Sequence, residues 1–148
     1  MSFRIDRLVA ADAGEVARVH RASFDDRLPW LAGLHTPEED EAFFRDRVFA
    51  DCEVRGVREG GALIGFVAFR EGWIDQLYVL PHRQGQGVGG SLLRPAKAAW
   101  PVLQLWTFQR NAAARRFYEV NGFVAVRETD GSGNEEREPD VLYRWLRR

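Results

Sequence analysis

The sequence is poor in residues and segments that would place it in special chemical environments. Its 148 residues include a single cysteine, Cys52, which excludes an intrachain disulfide and a cluster of thiolate metal ligands. No histidine or cysteine spacing suggests a zinc site. No apolar run reaches membrane length, and the opening residues MSFRIDRL lack the apolar segment of a signal peptide. We therefore expect a cytoplasmic protein without a membrane span or a bound metal.

An excess of charge of either sign is also missing. Lysine and arginine number 21 against 22 aspartates and glutamates, so the formal net charge is −1. A chain without surplus basic residues offers no electrostatic footprint for nucleic acid. Hydrophobic residues make up 45% of the chain and aromatic residues 12%, enough to core one domain but not two. We expect a single domain over residues 1–148.

Residue periodicity indicates strands interleaved with helices. A hairpin is predicted between residues 52–58 and 62–70, because Glu59-Gly60-Gly61 lies between two strand-like segments. Thr36 is the expected cap of a helix. The remaining strands are expected at 3–9, 73–79, 102–108, 123–127 and 141–146, with helices near 12–24, 36–49, 87–100 and 111–121. This order predicts an α/β (α+β) fold with a single mixed central sheet flanked by helices.

Residues 73–93, which read WIDQLYVLPHRQGQGVGGSLL, form the stretch with the strongest functional signal. An apolar strand ends at Pro81, glycines occupy four of the six positions from Gly85 to Gly90, and helical spacing then resumes. Glycine lets a ligand approach the backbone closely, and the N–H groups at a helix start favour an anion. The stretch therefore predicts a cradle for a phosphate or pyrophosphate.

The glycine spacing has two interpretations that predict different ligands. Residues 85–90 formally match GxGxxG, the fingerprint of dinucleotide-binding proteins. That fingerprint needs an acidic residue about twenty positions later to hold a ribose. Residues 106–111 read WTFQRN and contain no acid. A nucleotide- or NAD-binding domain is therefore disfavoured.

The second interpretation combines two motifs. Residues 84–89 read QxxGxG after the strand Leu77-Tyr78-Val79, and residues 111–123 read NxxAxxFYxxxGF. Together the two motifs resemble those of the GNAT superfamily of N-acetyltransferases, over about residues 62–123. The predicted element order is also similar to the GNAT fold. The N-terminal helices and the C-terminal strands carry almost none of this resemblance.

Helical spacing places Asn111, Ala114 and Tyr118 on one face, with Arg115, Arg116 and Glu119 directed elsewhere, towards solvent. The resemblance implies that this face binds acetyl-CoA and that the enzyme moves an acetyl group to a primary amine. It implies that Tyr118 protonates the departing thiolate and that a backbone N–H near Val79 polarises the thioester carbonyl. The implied cofactor-binding residues are Leu77, Tyr78, Val79, Gln84, Gly85, Gln86, Gly87, Val88, Gly89, Gly90 and Asn111.

The residue that removes the acceptor's proton is left open by the sequence. Asp75 lies on the strand expected beside the thioester and is the candidate base, and a structural carboxylate paired with a neighbouring arginine is the equal alternative. His20 is expected to pack in the fold or to lie on the surface rather than to act as the base. Candidates for the acceptor pocket are Trp30, Trp73 and Trp106, together with an acidic loop that contains Glu135, Glu136, Glu138 and Asp140.

The sequence does not identify the acceptor amine. Carboxylates suit a cationic amine such as a polyamine, an aminoglycoside or a lysine side chain, although a solvated surface loop explains the same acids. Arg27 and Arg127 would instead favour an amino acid. A different class of function also remains: a non-catalytic acyl-CoA-binding sensor or scaffold. A homodimer is possible.

Overall fold

The computed structural model describes residues 3–148, so Met1 and Ser2 of the predicted domain lie outside the described range. A seven-stranded sheet in the order β1-β2-β3-β4-β5-β7-β6 forms its centre. Its strands are β1 (Asp6–Arg7), β2 (Glu53–Glu59), β3 (Ala62–Arg70), β4 (Trp73–Val79), β5 (Val102–Phe108), β6 (Val124–Glu128) and β7 (Asp140–Leu146). All neighbouring strands run antiparallel except β4 and β5, which are parallel. The predicted fold class, a single mixed sheet flanked by helices, is confirmed.

Helices cover both faces of this sheet. They are α1 (Ala13–Arg27), α2 (Pro37–Phe43), α3 (Phe49–Asp51), α4 (Val88–Ala99) and α5 (Ala112–Val120), with a π-helical turn, Phe44–Val48, between α2 and α3. One core lies under α1 and the π-helical turn, and a second lies under α4 and α5. Strand β3 contributes to both, with Phe66 in the first core and Val67 in the second. A strand buried on both faces accounts for its nearly continuous apolar sequence.

Local signals fix several helix ends. The Thr36 hydroxyl accepts a hydrogen bond from the Glu39 amide (3.1 Å), and the Glu39 carboxylate accepts one from the Thr36 amide (2.7 Å). This capping box starts α2 as predicted. The first strand is shorter than the predicted 3–9, because the Asp12 carboxylate accepts the Val9 amide (2.8 Å) in a turn that leaves the sheet.

The parallel pair β4–β5 creates the main irregularity of the sheet. Trp73 and Gln104 are the one registered pair between these strands in the described structure, supported by a hydrogen bond from the Gln104 amide to the Gly72 carbonyl (2.9 Å). Beyond that point the strands separate. A bulge in β4 at Asp75, where Ala68 pairs with Gln76 but Phe69 with Ile74, adds a local bend. The C-terminal half of β4 is thus left with an open edge inside the sheet.

Candidate active site

A cavity of about 1490 Å³ occupies the space between the separated strands. Residues 74–79 of β4 form one wall and residues 105–108 of β5 form another, while α1, α2, α5, the glycine loop and the β6–β7 loop close the sides. Pockets for drug-sized ligands usually measure about 300–1,000 Å³. This cavity is therefore large enough for an elongated ligand together with a second molecule.

The glycine loop forms one end of this cavity. Gly85 and Gly87 have φ angles of +76° and +91°, a left-handed conformation that glycine adopts without steric cost. Gly89 is required for a different reason, since a Cβ there would lie 2.9 Å from the Phe117 ring. No side chain caps the start of α4, so its first-turn N–H groups are available to an anion. The loop therefore has the open donors that the predicted phosphate cradle requires.

Gln84 anchors the loop rather than presenting its side chain to a ligand. Its Nε2 donates to the Val79 carbonyl (2.9 Å) and to the Ser23 hydroxyl (3.3 Å), and its Oε1 accepts a hydrogen bond from Arg27. Two other predicted cofactor-binding residues have side chains outside the cavity wall. Val88 is 1% exposed and belongs to the core, and Gln86 bonds to the His82 carbonyl (3.2 Å). Leu77, Tyr78, Val79, Gln84, Gly85, Gly87, Gly89, Gly90 and Asn111 all line the cavity.

Helix α5 directs its predicted face at the cavity. Asn111, Ala114 and Tyr118 all line the wall. The Asn111 Oδ1 caps the helix by accepting the Ala114 amide (3.2 Å). Arg116 is exposed as expected and also borders the cavity, whereas Arg115 is half-buried and donates to the Tyr143 hydroxyl (3.0 Å) instead of pointing to solvent.

Tyr118 combines a buried ring with a hydroxyl that lacks a protein partner. The residue is 7% exposed, and its ring packs against those of Phe123 (5.5 Å between centroids) and Tyr143 (6.2 Å). Among residues 3–148 we find no hydrogen bond to the Tyr118 hydroxyl. Burial, and to a smaller extent the nearby Tyr78, raise the Tyr118 pKa well above its usual value. The phenol therefore keeps its proton at neutral pH and can donate it.

Asp75 is held by protein groups. Its carboxylate accepts hydrogen bonds from the Arg70 guanidinium (2.7 Å) and the Cys52 thiol (3.3 Å), and it stands between the main cavity and a side pocket of about 320 Å³. Burial, with the hydrogen bond to Asp75, raises the pKa of Cys52 to about 12, so the thiol is not ionised. The pairing with Arg70 matches the structural alternative that the sequence left open. The role of Asp75 as a base stays a prediction.

The structure brings one of the three candidate tryptophans to the cavity. Trp106 lines it. Trp30 instead donates its indole N–H to Glu138 (2.9 Å), and the Arg110 guanidinium lies 4.0 Å from its ring centroid. Trp73 lies where β4 is still paired with β5, so the strands leave no opening beside it. Neither Trp30 nor Trp73 is part of the cavity wall.

From the sequence, His20 and Arg116 were not assigned to this cavity, and Arg27 was named only as favouring an amino-acid acceptor. His20 packs against the rings of Phe44 (5.3 Å) and Tyr78 (4.7 Å), as expected for a packing residue, but it also lines the cavity. Burial, followed by the charge of Arg21, lowers the His20 pKa to about 4. Arg27 and Arg116 also line the wall, and within residues 3–148 neither guanidinium has a carboxylate within salt-bridge distance. Their positions depend on how α1 and α5 pack, which no local motif encodes.

Two structural observations concern metal-binding and membrane-spanning proteins, the two classes that the sequence did not predict. Within the described range no group of three or more His, Cys, Asp or Glu side chains is arranged to hold a metal ion. None of the helices in residues 3–148 combines the length and apolar character of a membrane span.

Comparisons with known proteins identify the family. The profile of the acetyltransferase (GNAT) domain matches residues 45–125. An uncharacterized N-acetyltransferase of Archaeoglobus fulgidus is 33% identical over 147 residues, covering 82% of this chain and 99% of that protein. The peptidyl-lysine N-acetyltransferase YiaC of Escherichia coli is 32% identical over 83 residues, covering 55% of this chain but only 57% of the relative. The chain belongs to the GNAT acetyltransferase family, as the two motifs predicted.

A solved structure supports the fold at lower identity. PaiA N-acetyltransferase from Thermoplasma acidophilum, solved in complex with coenzyme A, superposes with a TM-score of 0.73 at 22% identity, with 99% of each chain covered. This likeness extends over the N-terminal helices and the C-terminal strands, where the sequence itself carried almost no family signal.

Proposed function

We propose that this protein is an acetyl-CoA-dependent N-acetyltransferase that acetylates a primary amine. The observation that carries the proposal is the separation of β4 from β5, which opens a cavity between an uncapped helix N-terminus and the tyrosine of α5. Family membership supports the reaction class, and the coenzyme A bound to the Thermoplasma neighbour supports the donor.

The residues present fit the pyrophosphate and the pantetheine arm of the donor. The N–H groups of the glycine loop and of the first turn of α4 would hold the pyrophosphate, with Arg27 and Arg116 adding positive charge. The open edge of residues 77–79 would pair with the pantetheine amides as an added strand does. The Asn111 Nδ2, which has no partner among the described residues, would donate to the same arm. Acetyl-CoA would supply the activated thioester.

Tyr118 and the backbone near Val79 would carry the chemistry on the thioester side. The Val79 region would direct an N–H at the carbonyl oxygen, where negative charge develops. Tyr118 would deliver the proton from its hydroxyl to the sulfur, whose conjugate thiol has an ordinary pKa near 8.5. Because burial raises the Tyr118 pKa, this proton is present throughout the neutral range.

Removal of the acceptor's proton needs a separate group. A free alkylammonium has a pKa of about 10.4 and must become neutral before it attacks. Asp75 stays a candidate for this role, although Arg70 and Cys52 already use its carboxylate. Water chains in the wide cavity are the alternative route.

The competing function is a non-catalytic module that senses or scaffolds acyl-CoA. Thermal melting with acetyl-CoA, CoA and NAD tests binding, since a ligand far above its Kd stabilises by a few kcal/mol. Release of free thiol in the presence of an amine panel then tests catalysis. Stabilisation by acetyl-CoA and CoA with amine-dependent thiol release supports the enzyme, whereas stabilisation without release supports the sensor. A shift with NAD alone would refute both.

The cytoplasmic location and the homodimer stay predictions. Sedimentation at several protein concentrations would test the second.

A further inference from the structure

A continuous series of aromatic rings lines the cavity on the face of the sheet that α1 covers. The His20 ring on α1 lies 4.7 Å from the Tyr78 ring and 5.3 Å from the Phe44 ring, measured between centroids. It also lies 5.5 Å from the ring of Phe24, which in turn lies 6.3 Å from that of Phe108 on β5. All five rings line the cavity. They therefore form an aromatic wall that extends from β4 to β5 where the two strands have separated.

Large apolar side chains continue the aromatic wall towards solvent. Phe43 on α2 packs beside Phe44, with 5.7 Å between centroids, and Trp106 precedes Phe108 by two residues on the same face of β5. Phe43 is 49% exposed, Trp106 is 42% exposed and Leu34 of the α1–α2 loop is 46% exposed, and all three line the cavity. Packing within the protein does not account for them, because core side chains are covered. Exposed apolar side chains grouped around a cavity are typical of a ligand-binding surface.

The aromatic wall and the glycine loop lie on opposite faces of the sheet. Tyr78 pairs with Phe66 of the core under α1, and residues paired across two strands point to the same face. Its neighbour Leu77 pairs with Val67 of the core under α4 and α5. The glycine loop leads into α4, and Tyr118 lies on α5, so both belong to the second face. The gap between β4 and β5 joins the two halves of the cavity, which gives each of two substrates a face of its own.

The ionisable groups that touch the aromatic wall are neutral or already paired. Burial, followed by the charge of Arg21, lowers the pKa of His20 to about 4, so its ring is uncharged at neutral pH. The Arg21 guanidinium lies 5.5 Å from the Phe24 ring centroid, but it is paired with Asp40 (2.9 Å) and Asp25 (3.1 Å). The wall is therefore apolar in charge as well as in composition.

Two unpaired charges of opposite sign also line the cavity. The Arg127 guanidinium lies 5.9 Å from the Trp106 ring centroid, and Glu136 is half-buried in the β6–β7 loop. Neither has an ion-pair partner among residues 3–148. Because their signs differ, they do not select an anionic or a cationic side group. The structure thus defines the apolar part of an acceptor more sharply than its charge.

We propose that the acceptor is a primary amine that carries an aromatic ring, and that this ring binds against the aromatic wall while the amine extends through the gap towards the thioester. The inference rests on the proposed acetyltransferase function and names its substrate class. Aromatic rings prefer offset or edge-to-face contacts with centroids about 4.5–7 Å apart, the spacing that the rings of the wall already have. The second ammonium of a polyamine would instead lose water against an apolar surface.

The test first compares three amines that differ in the group attached to the nitrogen. Calorimetry on the CoA complex measures the Kd of 2-phenylethylamine, hexylamine and 1,4-diaminobutane, and steady-state assays measure kcat/KM for the same amines. We expect 2-phenylethylamine to bind more tightly than hexylamine by about threefold or more, because of its ring contacts. It should bind more tightly than 1,4-diaminobutane by about tenfold or more, because the diamine buries less apolar surface and a second charge.

Two variants and a matched control place the ring on the wall. Phe43→Ala and Trp106→Ala should each weaken 2-phenylethylamine by about threefold or more, and both should bind CoA like the parent. These side chains are partly exposed, so their truncation should leave the fold intact. Leu146→Ala removes an apolar side chain that is 58% exposed but lies outside the cavity wall, and it should leave both affinities unchanged.

Phenylalanine and a peptide with an N-terminal phenylalanine distinguish the sources of such a ring. Tighter binding of either than of 2-phenylethylamine supports the aromatic site and identifies an amino acid or a polypeptide as the acceptor. Tighter binding of hexylamine or of the diamine, no aromatic amine bound by the parent, or an unchanged Kd for 2-phenylethylamine in both wall variants overturns the inference. Aromatic amines that bind without release of thiol support the site and refute the enzyme. Acetyl transfer with equal kcat/KM for all three amines refutes the aromatic site alone.

Discussion

Replacement of Tyr118 by phenylalanine should lower kcat strongly and leave the free energy of unfolding almost unchanged. The Tyr118 ring is packed among other aromatic rings, but its hydroxyl bonds to no protein group within residues 3–148. Tyr118→Phe therefore leaves no partner unsatisfied and keeps the packed ring. The free energy of unfolding should change by less than about 0.5 kcal/mol. Loss of a general acid usually costs about 10²–10⁴ in rate, so kcat should fall at least about 100-fold.

Tyr143→Phe is the matched control, because it removes a hydroxyl with partners. The Tyr143 hydroxyl donates to Glu119 (2.7 Å) and accepts from Arg115 (3.0 Å) in a residue that is 0% exposed. Two lost hydrogen bonds of about 0.5–1.5 kcal/mol each should lower the free energy of unfolding by about 1–3 kcal/mol. The melting temperature should fall by several degrees, while kcat stays within about twofold because Tyr143 does not line the cavity.

The assay is thiol release at saturating acetyl-CoA and amine, with urea unfolding and acetyl-CoA titration of both variants in parallel. The expected pattern is a slow, stable Tyr118→Phe protein and a fast, destabilised Tyr143→Phe protein, both with parental affinity for acetyl-CoA. A parental kcat in Tyr118→Phe would remove this tyrosine from the mechanism. A loss of kcat that accompanies a large loss of stability would show that the hydroxyl has a structural role instead.

Three further outcomes are expected. Gly87→Glu should abolish the CoA-induced shift in melting temperature by placing a carboxylate in the cradle, while Gly60→Glu, also at positive φ but in the distant hairpin turn, should keep it. The free energy of unfolding, measured with urea, should fall by up to roughly 3 kcal/mol as pH drops from 6.5 to about 4, because His20 binds a proton in the unfolded chain but stays neutral when buried in the folded one. His20→Phe should flatten this slope, and an unchanged slope would contradict the burial argument. If the main role of Asp75 is its ion pair with Arg70, Asp75→Asn should change kcat by less than about threefold and lower the free energy of unfolding by at most about 1 kcal/mol. A fall in kcat of about 100-fold would instead establish Asp75 as the base.

The features predicted correctly from the sequence are those set by neighbouring residues. The Thr36 cap and the strand–loop–helix order around Gly87 depend on contacts within a few positions. Periodicity alone placed Asn111 and Tyr118 on a common face, and both line the cavity.

The features that were missed depend on distant partners. Trp30 is 108 residues from Glu138, whose carboxylate accepts its indole N–H. His20 meets Tyr78 only because α1 packs on β4, and the open edge of β4 depends on how far β5 turns away. No window of sequence contains both members of these pairs. The sequence therefore predicted which residue types form the site better than it predicted which of them are free to react.

The distribution of charge along the cavity determines how the two substrates would enter. Arg27 donates to Gln84 at the start of the glycine loop, and Arg116 precedes Phe117, whose ring contacts Gly89 in that loop. Glu136, whose carboxylate has no ion-pair partner among residues 3–148, also lines the cavity. An ammonium at the loop would meet N–H donors that it cannot accept from. The loop end of the cavity therefore suits an anionic donor better than a cationic amine, and Tyr118 lies on the wall of the same cavity.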